Sequence, residues 1–392
     1  MSKRQKCLLL ALIIALLLAQ PQPVWAEEAE QESLEAQLEL LPADEIYELM
    51  AQLDAEMSEF LGGGDIQTFW QGLLQGEVKL DGQSLVEGGM KIFRQEVALN
   101  ISLVGKMVFL IILGAVLGRL NESFGQDGAG KLAHLVVMFM ILLLVVGSVQ
   151  TVTDLAGETV ERLVGFMQLL MPVEFILMAA LGNGAAMAAL QPAMYVGINL
   201  LGNLFRYVVL PLVYFEVLLR MTNSLSTEFR VEKLSDLFRT VILALIGISS
   251  TVFLALIGLG GMSGAAVDGL SVRAVKYAAS TFVPVVGGML SDAYETMAGG
   301  ALLLKNAFGL VGMLIIILLL LVPAVKIFVV YLLYKFTAAI VEPLGEKQAT
   351  EMLSRVGDSF LLVFAVVVFA ALTFFFTIVI LTATANSAVM LR

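Results

Sequence analysis

With 392 residues, 59% of them hydrophobic, and a mean hydropathy of +0.91, the chain carries more apolar surface than one soluble core can hide. That composition points to an all-α, polytopic membrane helix bundle. The formal net charge of -11 argues against nucleic acid, which wants clustered Lys and Arg, and a single histidine, His134, excludes a multi-histidine metal site within one chain.

Residues 1–26 have the three parts of a secretory signal peptide: Lys3, Arg4 and Lys6, an apolar run over 8–19, and Val24, Trp25 and Ala26 before Glu27. The run is too short to cross a bilayer, which takes about 20 residues. Cleavage is expected between Ala26 and Glu27, with export of the region beginning at Glu27. Cys7, the only cysteine, leaves with the signal, so neither a disulfide nor a thiol nucleophile is expected afterwards.

Residues 27–96 read as an exported acidic helical region. Twelve acidic residues fall between Glu27 and Glu59, and no Lys or Arg stands between Lys6 and Lys79. Ile46, Leu49, Met50, Leu53, Met57 and Phe60 recur at helical spacing, which predicts an amphipathic helix with an acidic outer face. Glycines 62–64 end it, and Asp65 can cap a second short helix carrying Phe69 and Trp70. A solvated face explains the acid more simply than a docking surface does.

The polytopic domain is expected over 97–385, with a tail at 386–392. Seven apolar stretches are long enough to cross: 101–120, 132–150, 163–181, 191–220, 241–258, 307–333 and 361–383. Two amphipathic pieces, near 227–240 and 343–360, are expected to lie along the membrane surface or beneath the bundle. Seven crossings from an exported N-terminal region would leave eight Lys and Arg residues outside against six inside, the reverse of the usual bias. Six crossings, with one candidate between 163 and 220 re-entrant, place nine inside and five outside, and that count is the better one.

Between the fifth and sixth of these stretches, residues 258–310 are rich in Gly and carry Asp268, Arg273, Lys276, Asp292, Glu295 and Lys305. The stretch is too polar for a lipid-facing span and too apolar for a loop, so a broken or re-entrant segment lining the centre of the protein is expected. Gly258, Gly260, Gly261 and Gly264 are not followed by the Lys-Ser or Lys-Thr of a phosphate-binding loop. Gly260 with Gly264, like Gly114 with Gly118, suits close helix packing instead.

Ionisable residues inside apolar stretches are Lys106, Glu174, Arg206, Glu216 and Lys326. Charge there is costly, so each should face the bundle interior, a partner or water, with Glu174 and Arg206 as one candidate pair. Structural ion pairs explain such residues more simply than a transport site. No nucleophile and base arrangement and no known catalytic motif is visible, so neither enzyme activity nor a cofactor is expected.

The sequence KYAASTFVPVVGGMLSDA at 276–293, followed by LLLKNAFGLVG at 302–312, resembles the central signature of the stage III sporulation protein AE family. The order of signal, short exported region and polytopic domain is similar too. The resemblance implies an endospore-forming bacterium and a multi-pass protein in the mother-cell membrane around the forespore. It also implies a part in a multiprotein, secretion-like channel complex that supports forespore development. The partners implied are membrane lipid, other proteins of that complex and further copies of the chain. Gly287, Gly288, Asp292 and Asn306 are then the candidates for conduit or subunit contacts, beside Glu174, Arg206, Gly260 and Gly264. A stand-alone secondary transporter, binding a small solute at Glu174, Arg206 and Glu216, is the alternative, and a pure scaffold is a third reading.

Overall fold

The computed structural model describes residues 82–123, 128–225, 231–282 and 286–390. The chain divides into two compact units, Met1–Tyr47 and Glu48–Arg392, and all of the described residues belong to the second. The signal peptide with its cleavage site at Ala26 and Glu27, and most of the acidic region, lie outside the described residues.

All regular structure among the described residues is helical: α1 Gly82–Ser123, α2 Gly128–Ala180, α3 Gly184–Leu204, α4 Leu210–Leu225, α5 Glu232–Phe282, α6 Val286–Val341 and α7 Lys347–Met390. A π-helix, Phe205–Val209, joins α3 to α4 in one continuous rod. Pro211 explains it, because a proline lacks the N–H of its own helical bond and its ring crowds the carbonyl four residues back, at Tyr207. Widening the turn lets Leu210 N–H bond the Phe205 carbonyl and carries the helix past the obstacle.

Among the described residues six helices are long and apolar enough to cross a membrane: Gly88–Arg119, Leu135–Ala180, Gly184–Thr222, Glu232–Leu270, Lys305–Leu344 and Lys347–Thr384. The number six arises differently from the expected re-entrant hairpin. Stretches 132–150 and 163–181 are parts of one 53-residue helix, α2. The segment between them, TVTDLAGETVER, is polar but has no proline and only one glycine, so nothing in it breaks a helix.

The described parts of the two amphipathic pieces belong to longer helices. Residues 232–240 are the first turns of α5, and 347–360 the first turns of α7, each continuous with the apolar run next to it. On α7 the expected inner face, Ala349, Met352, Leu353, Val356 and Phe360, is buried. On α5, Leu234, Leu237 and Val241 are exposed instead. The boundary expected at 96/97 falls inside α1, where Glu96 pairs with Lys326 of α6 at 3.5 Å. Toward the other terminus, α7 runs through the expected tail as far as Met390.

Side-chain contacts fix the direction of every helix. Glu96 meets Lys326 and Arg119 reaches the Leu344 carbonyl, so α1 and α6 run together. Gly202 faces Val164 while Gly157 faces Leu210, so α2 opposes the α3–α4 rod. Gly264 against Ala186 and Arg220 beside Asp236 set α5 against that rod. Gly309 against Thr382 and Lys335 beside Asp358 set α7 against α6. Directions therefore alternate through six passes, and the start of α1 shares one end of the bundle with the close of α7. The most enclosed helix is α7, with 50% of its apolar window buried.

In the glycine-rich stretch 258–310 the backbone is helical up to Phe282 and again from Val286. Residues 283–285, on which the expected interruption could fall, lie outside the described residues.

Candidate functional site

Both ends of the bundle hold buried charge. At the end where α2 closes and α6 begins, Lys305 Nζ donates to Glu174 Oε2 at 2.9 Å and to the Leu381 carbonyl at 3.1 Å. Both charged side chains are wholly buried. Desolvating an ammonium and a carboxylate is tolerable only when each gains a charge-assisted partner, so α2, α6 and α7 are tied at this point. Glu174 Oε1, Asn306 Oδ1 and Asn386 Oδ1 are buried with no hydrogen-bond partner among the described residues.

The turn from α2 to α3 shapes the same end. Gly182 takes φ 68, its N–H bonds the Ala179 carbonyl at 2.8 Å, and Asn183 N–H bonds the Met178 carbonyl at 2.9 Å. This paired closure needs a left-handed residue, which glycine supplies without strain. It turns the chain tightly enough to bring the start of α3 onto α5, where buried Asp268 accepts from Ala185 N–H at 2.8 Å and Ala186 N–H at 2.9 Å. A carboxylate from another helix thus satisfies two of the amides that open α3. Gly264, one turn before Asp268, lies against the Ala186 backbone so closely that a side-chain carbon would collide with it. Small residues repeat this close approach at Gly261 with Thr384, Gly309 with Thr382, and Gly312 with Leu170 and Ile378.

At the opposite end Glu216, wholly buried, accepts from Ser359 Oγ at 2.7 Å and pairs with Arg220. Lys335 bonds Asp358 and Ser354, each at 2.9 Å, and Arg355 stands 3.5 Å from Glu232. Between the two ends Arg206, carried by the π-helix, pairs with Glu161 of α2 and lies over the Tyr207 ring at 5.6 Å.

The expected pairing of Glu174 with Arg206 is therefore corrected: each has a different partner, Lys305 and Glu161, because α3 leaves α2 at the 181–183 turn and passes Arg206 alongside α2 well below Glu174. Gly260 has the Leu190 side chain 3.5 Å from the place a Cβ would occupy, a looser contact than that of Gly264. Gly287, Gly288 and Asp292 lie in the first turns of α6, and what they contact lies outside the described residues. Lys106 is exposed on α1. No group of His, Cys, Asp and Glu able to hold a metal ion occurs among the described residues.

Two features escape sequence reasoning. Lys305 reads as the edge of a polar stretch, although its place at the head of the apolar run 307–333 marks it as a candidate for burial. Asp154, Glu158, Glu161 and Arg162 read as a connection between two spans, although Glu158 and Arg162 have the i,i+4 spacing of a helical ion pair.

Residues 64–385 match the family described as Stage III sporulation protein AE (spore_III_AE). A relative, Stage III sporulation protein AE of Bacillus subtilis (strain 168), is 27% identical over 340 residues, covering 84% of this chain and 85% of the relative. No solved structure matches the chain. The match takes in every apolar helix of the bundle and both buried ion pairs, and the chain is a member of the stage III sporulation protein AE family.

Proposed function

We propose that this multi-pass sporulation protein is a non-enzymatic membrane component of a multiprotein, secretion-like channel complex between mother cell and forespore, and that forespore development requires it. The observation that carries the reading is the family match across 64–385, which spans the whole six-helix bundle. In this reading the region 27–96 is exported, and the opposite end of the bundle, which among the described residues carries Arg119, Arg220, Lys233, Arg239, Lys335, Lys347 and Arg355, is cytoplasmic. The solute-transporter reading has weaker support, since Glu174, Arg206 and Glu216 are each engaged by partners within the chain.

Deletion of the gene in its endospore-forming host tests the proposal. Arrest after engulfment, restored by the wild-type gene, is the expected outcome, and normal spores from the deletion strain overturn it. Conductance across bilayers reconstituted with the protein separates a conduit from a scaffold.

A further inference from the structure

Most of the bundle's flank is apolar, as a lipid-facing surface should be: Leu200 on α3, Val252 and Leu256 on α5, and Phe369 and Phe376 on α7 are all exposed. The seam between α2 and the α3–α4 rod is different. Two clefts, of about 640 and 240 Å³, open along it and share Arg206 and Tyr207. The larger is lined by Gln150, Asp154, Glu158 and Tyr214, the smaller by Glu161, Gln168, Asn199 and Asn203. Together they form one polar furrow. From Gln150 to Gln168 it follows α2 for about 27 Å, against ~30 Å for the hydrocarbon core of a bilayer. Gly157 abuts Leu210 and Gly202 abuts Val164, so the furrow's midpoint lies beside the middle of the crossing Gly184–Thr222.

The charges along it differ in state. Arg206 pairs with Glu161 and lies over the Tyr207 ring, so a satisfied ion pair stands where the two clefts meet. Asp154 and Glu158 are exposed, one helical turn apart, and neither has a hydrogen bond or ion pair among the described residues. Carboxylates at this depth require water or a cation. We propose that the furrow is a path for phospholipid headgroups across the membrane, and that Asp154 and Glu158 receive the ammonium group of a headgroup such as that of phosphatidylethanolamine. The furrow opens sideways, where Tyr207 and Phe215 are 64% and 56% exposed, so what enters it comes from the bilayer. Its unengaged charge is negative, and the Tyr207 and Tyr214 rings lining the same cleft suit a cation. The headgroup moves through the furrow while its acyl chains stay in the bilayer beside exposed Val208 and Phe215. The groove between α3 and α5, lined by Val196, Leu200, Val252 and Leu256, has no charged residue and offers no such path.

The inference rests on the membrane bundle and not on the role in sporulation, so a failure to move lipid and a normal-spore result are separate outcomes. The test reconstitutes the full chain into phosphatidylcholine vesicles that carry phosphatidylethanolamine with a fluorescent label on its acyl chain. Parallel vesicles carry phosphatidylglycerol labelled in the same way, whose headgroup has no ammonium. Dithionite added outside bleaches only the outer leaflet of protein-free vesicles. Wild-type protein is expected to bring inner-leaflet phosphatidylethanolamine out to be bleached, several-fold faster than phosphatidylglycerol. Asp154→Asn combined with Glu158→Gln, which keeps shape and removes charge, should slow phosphatidylethanolamine several-fold, whereas Leu256→Ala on α5 should leave its rate unchanged. The contrast between the two lipids needs only wild-type protein, so it carries the test if the double variant fails to fold. Bleaching confined to the outer leaflet, equal rates for the two lipids, as a leak of dithionite would give, or a folded double variant as fast as wild type each overturn the proposal.

Discussion

Lys305 of α6 donates to Glu174 of α2 across 2.9 Å in a place where neither side chain meets solvent, although 131 residues separate them in the chain. Removing one partner strands the other charge in a low dielectric, at a cost of about 3–5 kcal/mol, whereas an apolar pair of similar volume is often neutral or stabilising. Lys305→Met should therefore lower the melting temperature in detergent, and Lys305→Met combined with Glu174→Leu should recover most of the loss. Equal melting of wild type and the single variant would show that the pair contributes nothing to stability.

Gly264 and Gly247 lie on the same helix in opposite surroundings. A Cβ at Gly264 meets the Ala186 backbone, whereas one at Gly247 meets nothing within 4 Å. Gly264→Ala should force α3 from α5 and destabilise by about 1–3 kcal/mol. Gly247→Ala should be neutral or stabilise by about 0.5–1 kcal/mol through the lost freedom of the unfolded chain. Thermal unfolding of the two variants side by side decides between packing and a general intolerance of substitution.

Asp268 holds the opening amides of α3 from a distance of more than 80 residues in sequence. Its replacement by Ala should cost about 0.5–2 kcal/mol, as loss of a helix cap does. The local signature is faster hydrogen exchange at the amides of Ala185 and Ala186, with the amides of α7 little changed. Uniform acceleration throughout the bundle would mean that Asp268 acts globally and not as a cap.

At the far end, Ser359 donates to a carboxylate that is wholly buried, while Arg355 and Glu232 meet at 3.5 Å with Glu232 largely exposed. Ser359→Ala should cost about 1–3 kcal/mol, because Glu216 loses a donor it cannot replace with water. Arg355→Gln should cost under about 1 kcal/mol, the usual worth of an exposed pair. Melting of both variants at low and high salt checks the contrast, since only the Arg355 effect should shrink with screening.

The sequence by itself determined the class of this protein. Long charge-poor runs cannot be soluble, and in lipid their backbone polar groups are satisfied only by helices, so an all-α polytopic bundle followed from composition. It also determined the buried face of the α7 entry, because the periodicity of Ala349, Met352, Leu353, Val356 and Phe360 records which side meets protein. Tertiary structure decided the rest. The polar segment 151–162 belongs to one helix because helical hydrogen bonds are local and indifferent to side-chain charge, a continuity that hydropathy windows do not register. Glu174 meets Lys305 and not Arg206 because buried charges choose partners by distance in the packed bundle, and that distance is set by the turn at Gly182 and by the close approach of α6 to α7 at Gly309.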